Sequence, residues 1–265
     1  MKIKKTNMNE VLASIIITSF NKGKFIKKTI KSALNQNYRK KEIIVFDDKS
    51  TDNSINIIKN FKKIKIITNK NKKKKSGPLN QINATLMSFK KTKGKYIFFL
   101  DGDDQFKKNK LKTFMKIFEN NKKTNFLHDK PYLFNEKRKL DLKKKLHFFS
   151  IWPSVYPTSC IAIKKSYLID FLKVLNKNNY PNLEIDARLF IFAYLNKDLK
   201  NINKSYTVYK KDYYGISSNY KKFSIKWWKK RCEGFEFMEN VANKLNFKFL
   251  KGPDYFLTKL LNQFF

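Results

Sequence analysis

Cysteine and histidine are scarce in this chain of 265 residues, and each scarcity excludes something. The two cysteines, Cys160 and Cys232, lie far apart and match no metal-ligand spacing. They rule out a disulfide-framed secreted fold and a thiolate zinc site, and read as free core thiols suited to a reducing cytoplasm. The two histidines, His128 and His147, show no ligand spacing and are assigned no metal. No apolar run approaches the roughly 18 residues that a membrane span needs. The opening residues, Met1 to Asn9, lack the apolar segment of a signal peptide. Thr18 to Gly23 is not a glycine-rich phosphate loop, which argues against a nucleotidyltransferase.

Acidic residues are also few: 21 Asp+Glu stand against 59 Lys+Arg, a formal charge of +38. An excess of this size suits an anionic partner such as nucleic acid, a nucleotide-sugar or an acidic membrane. Compositional drift is the competing explanation, because Lys, Asn and Ile are abundant throughout, bland surface included. No nucleic-acid-binding module is recognisable, so no nucleic-acid partner is expected. A hydrophobic content of 42% and an aromatic content of 15% are enough for a real core and argue against disorder.

Periodicity places the elements. Val11 to Thr18 is nearly continuous in apolar and β-branched residues, as in a strand covered on both faces. Phe25, Ile26, Ile30, Ala33 and Leu34 follow at helical spacing. Glu42 to Phe46 predicts a second strand, and Ser50-Thr51-Asp52 offers N-cap chemistry for a helix carrying Ile55, Ile58 and Phe61. Ile64 to Thr68 reads as a strand, and Asn69 to Leu79 as a polar, lysine-rich loop. Ile82, Leu86 and Phe89 mark a helix, the run after Gly94 a strand, and Leu111, Phe114, Met115 and Phe118 a further helix. Strand and helix thus alternate, which predicts an α/β fold with a doubly wound, mostly parallel, Rossmann-like sheet. Residues 129–150 read as a charged loop, Thr158 to Lys164 as a strand and Leu183 to Leu195 as a helix. From Lys221 onward the chain reads as a helical, basic and aromatic extension.

Polar clusters follow three of the strands: Thr18-Ser19-Phe20-Asn21, Asp47-Asp48 and Asp101-Gly102-Asp103-Asp104. In doubly wound sheets, ligands bind beyond the carboxyl ends of the strands, so the clusters should converge on one crevice. Three carboxylates around one glycine repel one another unless a positive group joins them. A hard divalent cation with oxygen ligands fits, and one held loosely there can grip a diphosphate. Gly102 permits close backbone approach to a ligand.

Ser14 to Asn21, Asn35 to Tyr38, Glu42 to Asp52 and Gly94 to Asp104 together resemble the family 2 glycosyltransferases of GT-A fold, over about residues 10–120. Ile185 to Phe190 is similar to the segment supplying the catalytic base in spore-coat polysaccharide type inverting transferases, and Thr158 to Lys165 resembles a strand under the acceptor site. The resemblance implies an inverting, metal-dependent transferase with a DXD motif, using Mn²⁺ or Mg²⁺ and a nucleotide-sugar donor, with a UDP-sugar favoured. Its acceptor would be a glycan or a lipid-linked glycan in cell-surface polysaccharide synthesis.

Residue by residue, the resemblance makes Asp103 the metal ligand and assigns Asp101 to ribose or a metal-bound water. Asp104 would orient the sugar or cap the next helix. Asp48 would accept the imide N–H of uracil, with Thr18, Phe20 and Asn21 framing base and ribose; an exchange of Asp47 for Asp48 stays open. Asp186 would be the general base, with Glu184 a weaker alternative and a helix-surface salt bridge the rival explanation. Arg188 and Lys211 are candidates for neutralising diphosphate, and Tyr209 to Ser218 for a lid over the donor. The loop from Lys70 to Lys75 could meet phosphates or lipid headgroups, although a solvated loop is the simpler reading.

Residues 1–220 are expected to form the catalytic domain, with a nucleotide-sugar half at 10–120 and an acceptor half at 121–220, followed by an extension at 221–265. In that extension, Phe223, Ile225, Trp227 and Trp228 sit among lysines, as do later apolar residues from Phe256 to Phe265. An interfacial membrane helix, packing on the catalytic domain and dimerisation are all open. The expected location is cytoplasmic, with a peripheral place on the inner face of the cell membrane as a candidate. Two alternatives to an active transferase remain: a catalytically impaired nucleotide-sugar-binding protein of the same fold, and a basic nucleic-acid-binding protein.

Overall fold

The computed structural model describes residues 10–72, 74–140, 152–210 and 215–264. In the first half, β1 (Ala13–Ser19), α1 (Ile26–Leu34), β2 (Lys41–Asp47), α2 (Ser54–Lys59), β3 (Lys65–Thr68), α3 (Gly77–Phe89), β4 (Tyr96–Asp101), β5 (Gln105–Phe106) and α4 (Lys110–Asn120) follow in order. The second half adds β6 (Phe126–Asp129), β7 (Tyr132–Leu133), β8 (Arg138–Lys139), β9 (Ile161–Lys164), α5 (Lys165–Val174), α6 (Ile185–Leu195), β10 (Leu199–Ile202), β11 (Thr207–Tyr209), α7 (Ile225–Lys244) and α8 (Pro253–Leu261).

Seven strands form the main sheet in the order β10-β6-β9-β4-β1-β2-β3. All its pairings are parallel except those of β9, which runs antiparallel to both β4 and β6. The mixed α/β fold matches the expectation, with the helical C-terminal region also present. A small second sheet, β5-β11-β7-β8, takes two of its strands, β7 and β8, from the segment 129–150 read as loop. Residues 141–151, including His147, are outside the described residues.

Because side chains alternate across a strand, each central strand supplies two cores. Ile15, Ile17, Tyr96, Phe98 and Leu100 pack on one face with α1 and α4. Ile16, Ile97 and Phe99 pack on the other with α3, α5, α6 and α7. Each such apolar side chain removed from water contributes about 1.5–3 kcal/mol before entropy is counted. In α1, Ile26, Thr29, Ile30 and Ala33 are buried at helical spacing. α6 differs in being apolar on nearly every side apart from Asp186 and Arg188, and it is largely buried.

Several local expectations change. The N-cap position of α2 is Asn53, without a side-chain bond, and of Ser50-Thr51-Asp52 only Asp52 meets the helix start, its Oδ1 accepting the Ser54 amide at 2.9 Å. The same groups also knit two loops, with Asp52 Oδ2 accepting from the Gly23 amide at 2.8 Å. The loop read to Leu79 ends earlier, because Ser76 Oγ accepts from the Leu79 amide and opens α3 with Pro78 in its first turn. Thr158–Cys160 is a single 3₁₀ turn before β9 rather than strand, since its backbone turns to feed the site described below.

The helical C-terminal region joins the core through one face of α7: Phe235, Phe237, Met238, Val241 and Ala242 are buried beside residues of α5 and α6. Gly234 marks the closest approach, because a Cβ there would overlap the Trp152 indole, which lies edge-on to Phe235. Gly234→Ala should therefore lower Tm by roughly 3–10 °C, as an overpacked core does. In an exposed helix the same change would raise helix propensity; a thermal melt with unchanged or raised Tm would contradict this packing.

Candidate active site

Strand register brings the polar clusters together. Thr18 pairs with Asp101 across β1 and β4, and Ser19 with Asp47 across β1 and β2. The clusters therefore end at one level, at the carboxyl edge of a parallel sheet. Gly102 donates its amide to the Thr18 carbonyl at 2.9 Å. A Cβ on Gly102 would press the Thr18 carbonyl at 3.1 Å and Lys22 Cγ at 3.2 Å, so glycine lets the two strand ends close up.

The β1 and β2 loops are fastened to each other. Asn21, at φ 51°, accepts from the Thr51 amide at 2.8 Å and donates its own amide to Ser50 Oγ at 2.9 Å. Its side chain thus holds the loop that presents Phe20, which stands 46% exposed at the rim. Asp47 and Asp48 are both buried but differ in partners. Asp47 accepts the Ser50 amide at 2.9 Å and the Ser50 hydroxyl at 2.6 Å, closing the turn. Asp48 is held by the Asn69 side-chain amide.

The acids after β4 divide in the same way. Asp104 is fully buried, accepting from Ser159 Oγ at 2.6 Å and the Lys210 amide at 2.9 Å. It neither caps α4, whose N-cap is Asn109, nor stands open to a sugar; it pins β11 and the Thr158–Cys160 turn to the end of β4. Burial, then the charges of Asp103 and Asp101, push its pKa well above the usual carboxylate range. Asp101 is raised to about 6, by burial first and Asp103 second, against hydrogen bonds from Thr18 and Gln81. The Thr18 hydroxyl donates to Asp101 Oδ1 at 3.2 Å. Asp103 is paired with the Lys22 ammonium at 2.6 Å.

Opposite these acids is the N-terminus of α6. Glu184, at its N-cap position, is buried and ion-paired with Lys230 of α7, Nζ to Oε1 at 2.6 Å. Asp186 lies in the first turn and accepts from the Ala187 amide at 2.7 Å. Burial and then the Glu184 charge raise its pKa to about 7, opposed by Lys230, with Asp101 adding a smaller push upward. The Tyr209 phenol at the end of β11 is raised by burial and then by Asp104, Asp101, Asp103 and Asp186, so it sits within reach of all four charges.

Arg188 is not available to a diphosphate. Its guanidinium is fully buried and donates to the carbonyls of Leu183, Asn176, Asn179 and Tyr180 at 2.7–3.0 Å. It clamps the loop that leads into α6, including Tyr180 at φ 59°. Lys74 likewise turns aside, to Asn178 at 2.8 Å. Lys73 and Lys211 lie outside the described residues. His128 is packed among Tyr156, Phe126 and Phe190, and burial lowers its pKa to about 4.

A second buried charge pair supports the site from below. Lys110 Nζ contacts Asp129 Oδ1 at 3.0 Å, the Ser159 carbonyl at 2.7 Å and Thr207 Oγ1 at 2.6 Å. Asp129 also accepts the Tyr206 and Thr207 amides. The pair has no solvent exposure and joins α4, β6 and β11. Its one sequence signal is an acid two residues after the apolar pair Phe126-Leu127, and Lys110 gives none among so many lysines.

No cluster of three or more metal-ligating side chains occurs among the described residues. The donor set still fits a hard cation. Asp101 and Asp103 crowd each other electrostatically, and the Lys22 ammonium stands at Asp103 as a cation would. Ions such as Mg²⁺ are commonly held by one or two carboxylates plus substrate phosphates.

A sequence profile of glycosyl transferase family 2 matches residues 14–185. The chain belongs to this family. An uncharacterised glycosyltransferase of Rickettsia conorii is 33% identical over 67% of this chain and 28% of its own length. A UDP-Glc:alpha-D-GlcNAc-diphosphoundecaprenol beta-1,3-glucosyltransferase of Escherichia coli is 40% identical over 42% of the chain and 43% of its own. The chain thus spans less than half the length of either relative. In fold, this family 2 chain resembles Staphylococcus aureus TarS residues 1–349, crystallised with UDP-GlcNAc. The TM-score is 0.63 at 18% identity, covering 94% of this chain and 70% of TarS 1–349.

The Lys110–Asp129 pair gives a direct test of the scaffold. Asp129→Ala leaves an ammonium buried without its counter-charge and should cost about 3–5 kcal/mol in urea unfolding. A loss below about 1 kcal/mol would show that the pair does not hold β11 in place.

Proposed function

We propose that this family 2 protein is an inverting, metal-dependent glycosyltransferase. It would move a sugar from a nucleotide-sugar, with a UDP-sugar favoured, to a glycan or lipid-linked acceptor in cell-surface polysaccharide synthesis. The observation that supports this best is the gathering of Thr18, Asp48, Asp101 and Asp103 at the sheet's carboxyl edge, with Asp101 within electrostatic reach of Asp186. The E. coli relative, named for a UDP-glucose donor and a diphosphoundecaprenol-linked acceptor, and the UDP-GlcNAc in TarS favour the same donor and acceptor classes.

In this reading Asp48 accepts the imide N–H of the base and Phe20 offers it a flat face. Thr18 and Asn21 shape the ribose side, Asn21 through the loop it fastens. Gly102 admits the diphosphate close to the backbone, and Asp101 meets ribose or a metal-bound water. Asp103, in place of its pairing with Lys22, would hold Mn²⁺ or Mg²⁺, and the chemistry supplied there would be charge neutralisation of the departing diphosphate. Asp186 takes the proton of the acceptor hydroxyl as its oxygen attacks the anomeric carbon opposite the leaving group. Lys230 neutralises Glu184, which leaves Asp186 as the proton acceptor of the two.

A base with a pKa of about 7 is half ionised at neutral pH, so transfer should rise with pH through that value. Asp186→Asn should cut transfer by about 10²–10⁴-fold while donor binding persists; unchanged transfer would remove Asp186 as the base. Asp103→Asn should abolish Mn²⁺-dependent binding of the donor in calorimetry, and full retention would move the cation elsewhere. The broad test is a screen of several nucleotide-sugars with Mn²⁺ or Mg²⁺, following nucleotide release. Binding to none of them would end the transferase reading.

A further inference from the structure

α8 is amphipathic the wrong way round for a surface helix. Its inward face is Tyr255 and Thr258, while Phe256 and Leu260, four residues apart, point outward at 60% and 53% exposure. Leu257 and Phe264, at 50% and 75%, continue that outer stripe. The start of α7 adds exposed Phe223 and Ile225 beside the half-buried Trp227 and Trp228. These rings touch one another, with Trp227 and Trp228 at 4.7 Å and Phe223 and Trp227 at 5.4 Å. Asn262 just past α8 donates to the Trp228 carbonyl at 3.1 Å, so the two groups adjoin. Exposed apolar area on this scale marks an interaction site.

The charges around it are sorted by sign. Residues 221–265 hold ten Lys+Arg and four Asp+Glu. All four acids are engaged: Glu233 with Asn182, Glu236 with Lys259, Glu239 with Lys251 and Asp254 with Arg231. Lys221, Lys222, Lys226 and Lys229 are left exposed beside the aromatic group, and Lys244 and Lys248 at the other end of α7. Two copies meeting through this face would oppose lysine to lysine. A surface that is anionic outside and apolar beneath satisfies both features at once, and Trp side chains suit such a boundary.

We infer that the outer face of α8 and the start of α7 dock on an anionic lipid bilayer, aromatics entering the headgroup region and lysines meeting lipid phosphates. Among the described residues no helix is long and apolar enough to cross a membrane, so the contact is interfacial. The docking face also lies close to the chemistry. α7 carries Lys230, one turn beyond Lys226, to its ion pair with Glu184, two residues from Asp186. Resting on the transferase reading, this orientation would present the acceptor side of the site to a lipid-linked acceptor held in the same bilayer.

The test is co-sedimentation of the whole chain at physiological ionic strength. Vesicles of phosphatidylcholine alone are compared with vesicles containing about one third phosphatidylglycerol. Binding to the anionic vesicles only, weakened by high salt, is the expected result. Lys221→Glu/Lys222→Glu/Lys226→Glu should reduce it about a hundredfold or more, and Phe256→Ser/Leu260→Ser/Phe264→Ser at least about tenfold. These side chains are exposed, so melting temperature and nucleotide-sugar binding in solution should stay unchanged in both variants. Equal binding to the two vesicle types, no binding to either, or wild-type binding by both variants overturns the inference. So does a concentration-dependent dimer that the Phe256/Leu260/Phe264 variant abolishes. Retained donor binding in any of those cases leaves the transferase reading standing.

Discussion

Carboxylates gathered at one edge of a buried sheet raise each other's free energy, and the molecule is organised around relieving that repulsion. Parallel register delivers Asp47, Asp48, Asp101, Asp103 and Asp104 to the same level. Asp47 is absorbed into a turn by Ser50, Asp48 is gripped by Asn69, and Asp104 is locked between Ser159 and Lys210. Asp103 is balanced by Lys22, and Asp101 carries the residual strain as a pKa of about 6. Charge left imperfectly compensated after these bonds are made is what a cation and a diphosphate could use.

The opposite wall solves a related problem. Glu184 and Asp186 lie two residues apart at the start of a helix that is mostly apolar apart from Arg188. Lys230 reaches over from α7 to balance the charge of Glu184, while burial and then the Glu184 charge raise the pKa of Asp186 to about 7. Helix α6 itself is set by Arg188, whose guanidinium gathers four carbonyls of the preceding loop. Beneath both walls, the Lys110–Asp129 pair ties α4, β6 and β11 together. Such a pair adds little net stability but leaves few alternative arrangements of its neighbours. The C-terminal helices belong to this architecture, since the lysine that balances Glu184 comes from α7.

The alternating β and α text of residues 11–118 was readable because both faces of each central strand are covered. Ile15, Ile16 and Ile17 can then all be apolar, and the run is unbroken. The strand-end clusters were readable for the opposite reason: Asp101, Asp103 and Asp104 interrupt such a run where a buried strand has no use for charge. The second half was harder. β7 and β8 have two residues each, too few for any periodicity to register. Of Ser50-Thr51-Asp52, only Asp52 reaches the helix beside it, accepting the Ser54 amide; Ser50, Thr51 and the other Asp52 oxygen take long-range partners in the β1 loop.

Composition and pattern by themselves determined the α/β class, the level at which polar groups collect and the basic, aromatic character of the C-terminal region. These depend on the order of side chains along the chain, through the periods of strand and helix. Only tertiary structure decided the division of labour among like residues. Nothing local distinguishes Asp104, fully engaged, from Asp103 one position earlier, or Arg188, locked on backbone carbonyls, from a cation facing the site. It also decided that α7 turns one face into the core while α8 turns its apolar stripe outward. Partners from distant parts of the chain, such as Lys22, Ser159, Lys210 and Lys230, set each charge, and sequence separation carries no record of them.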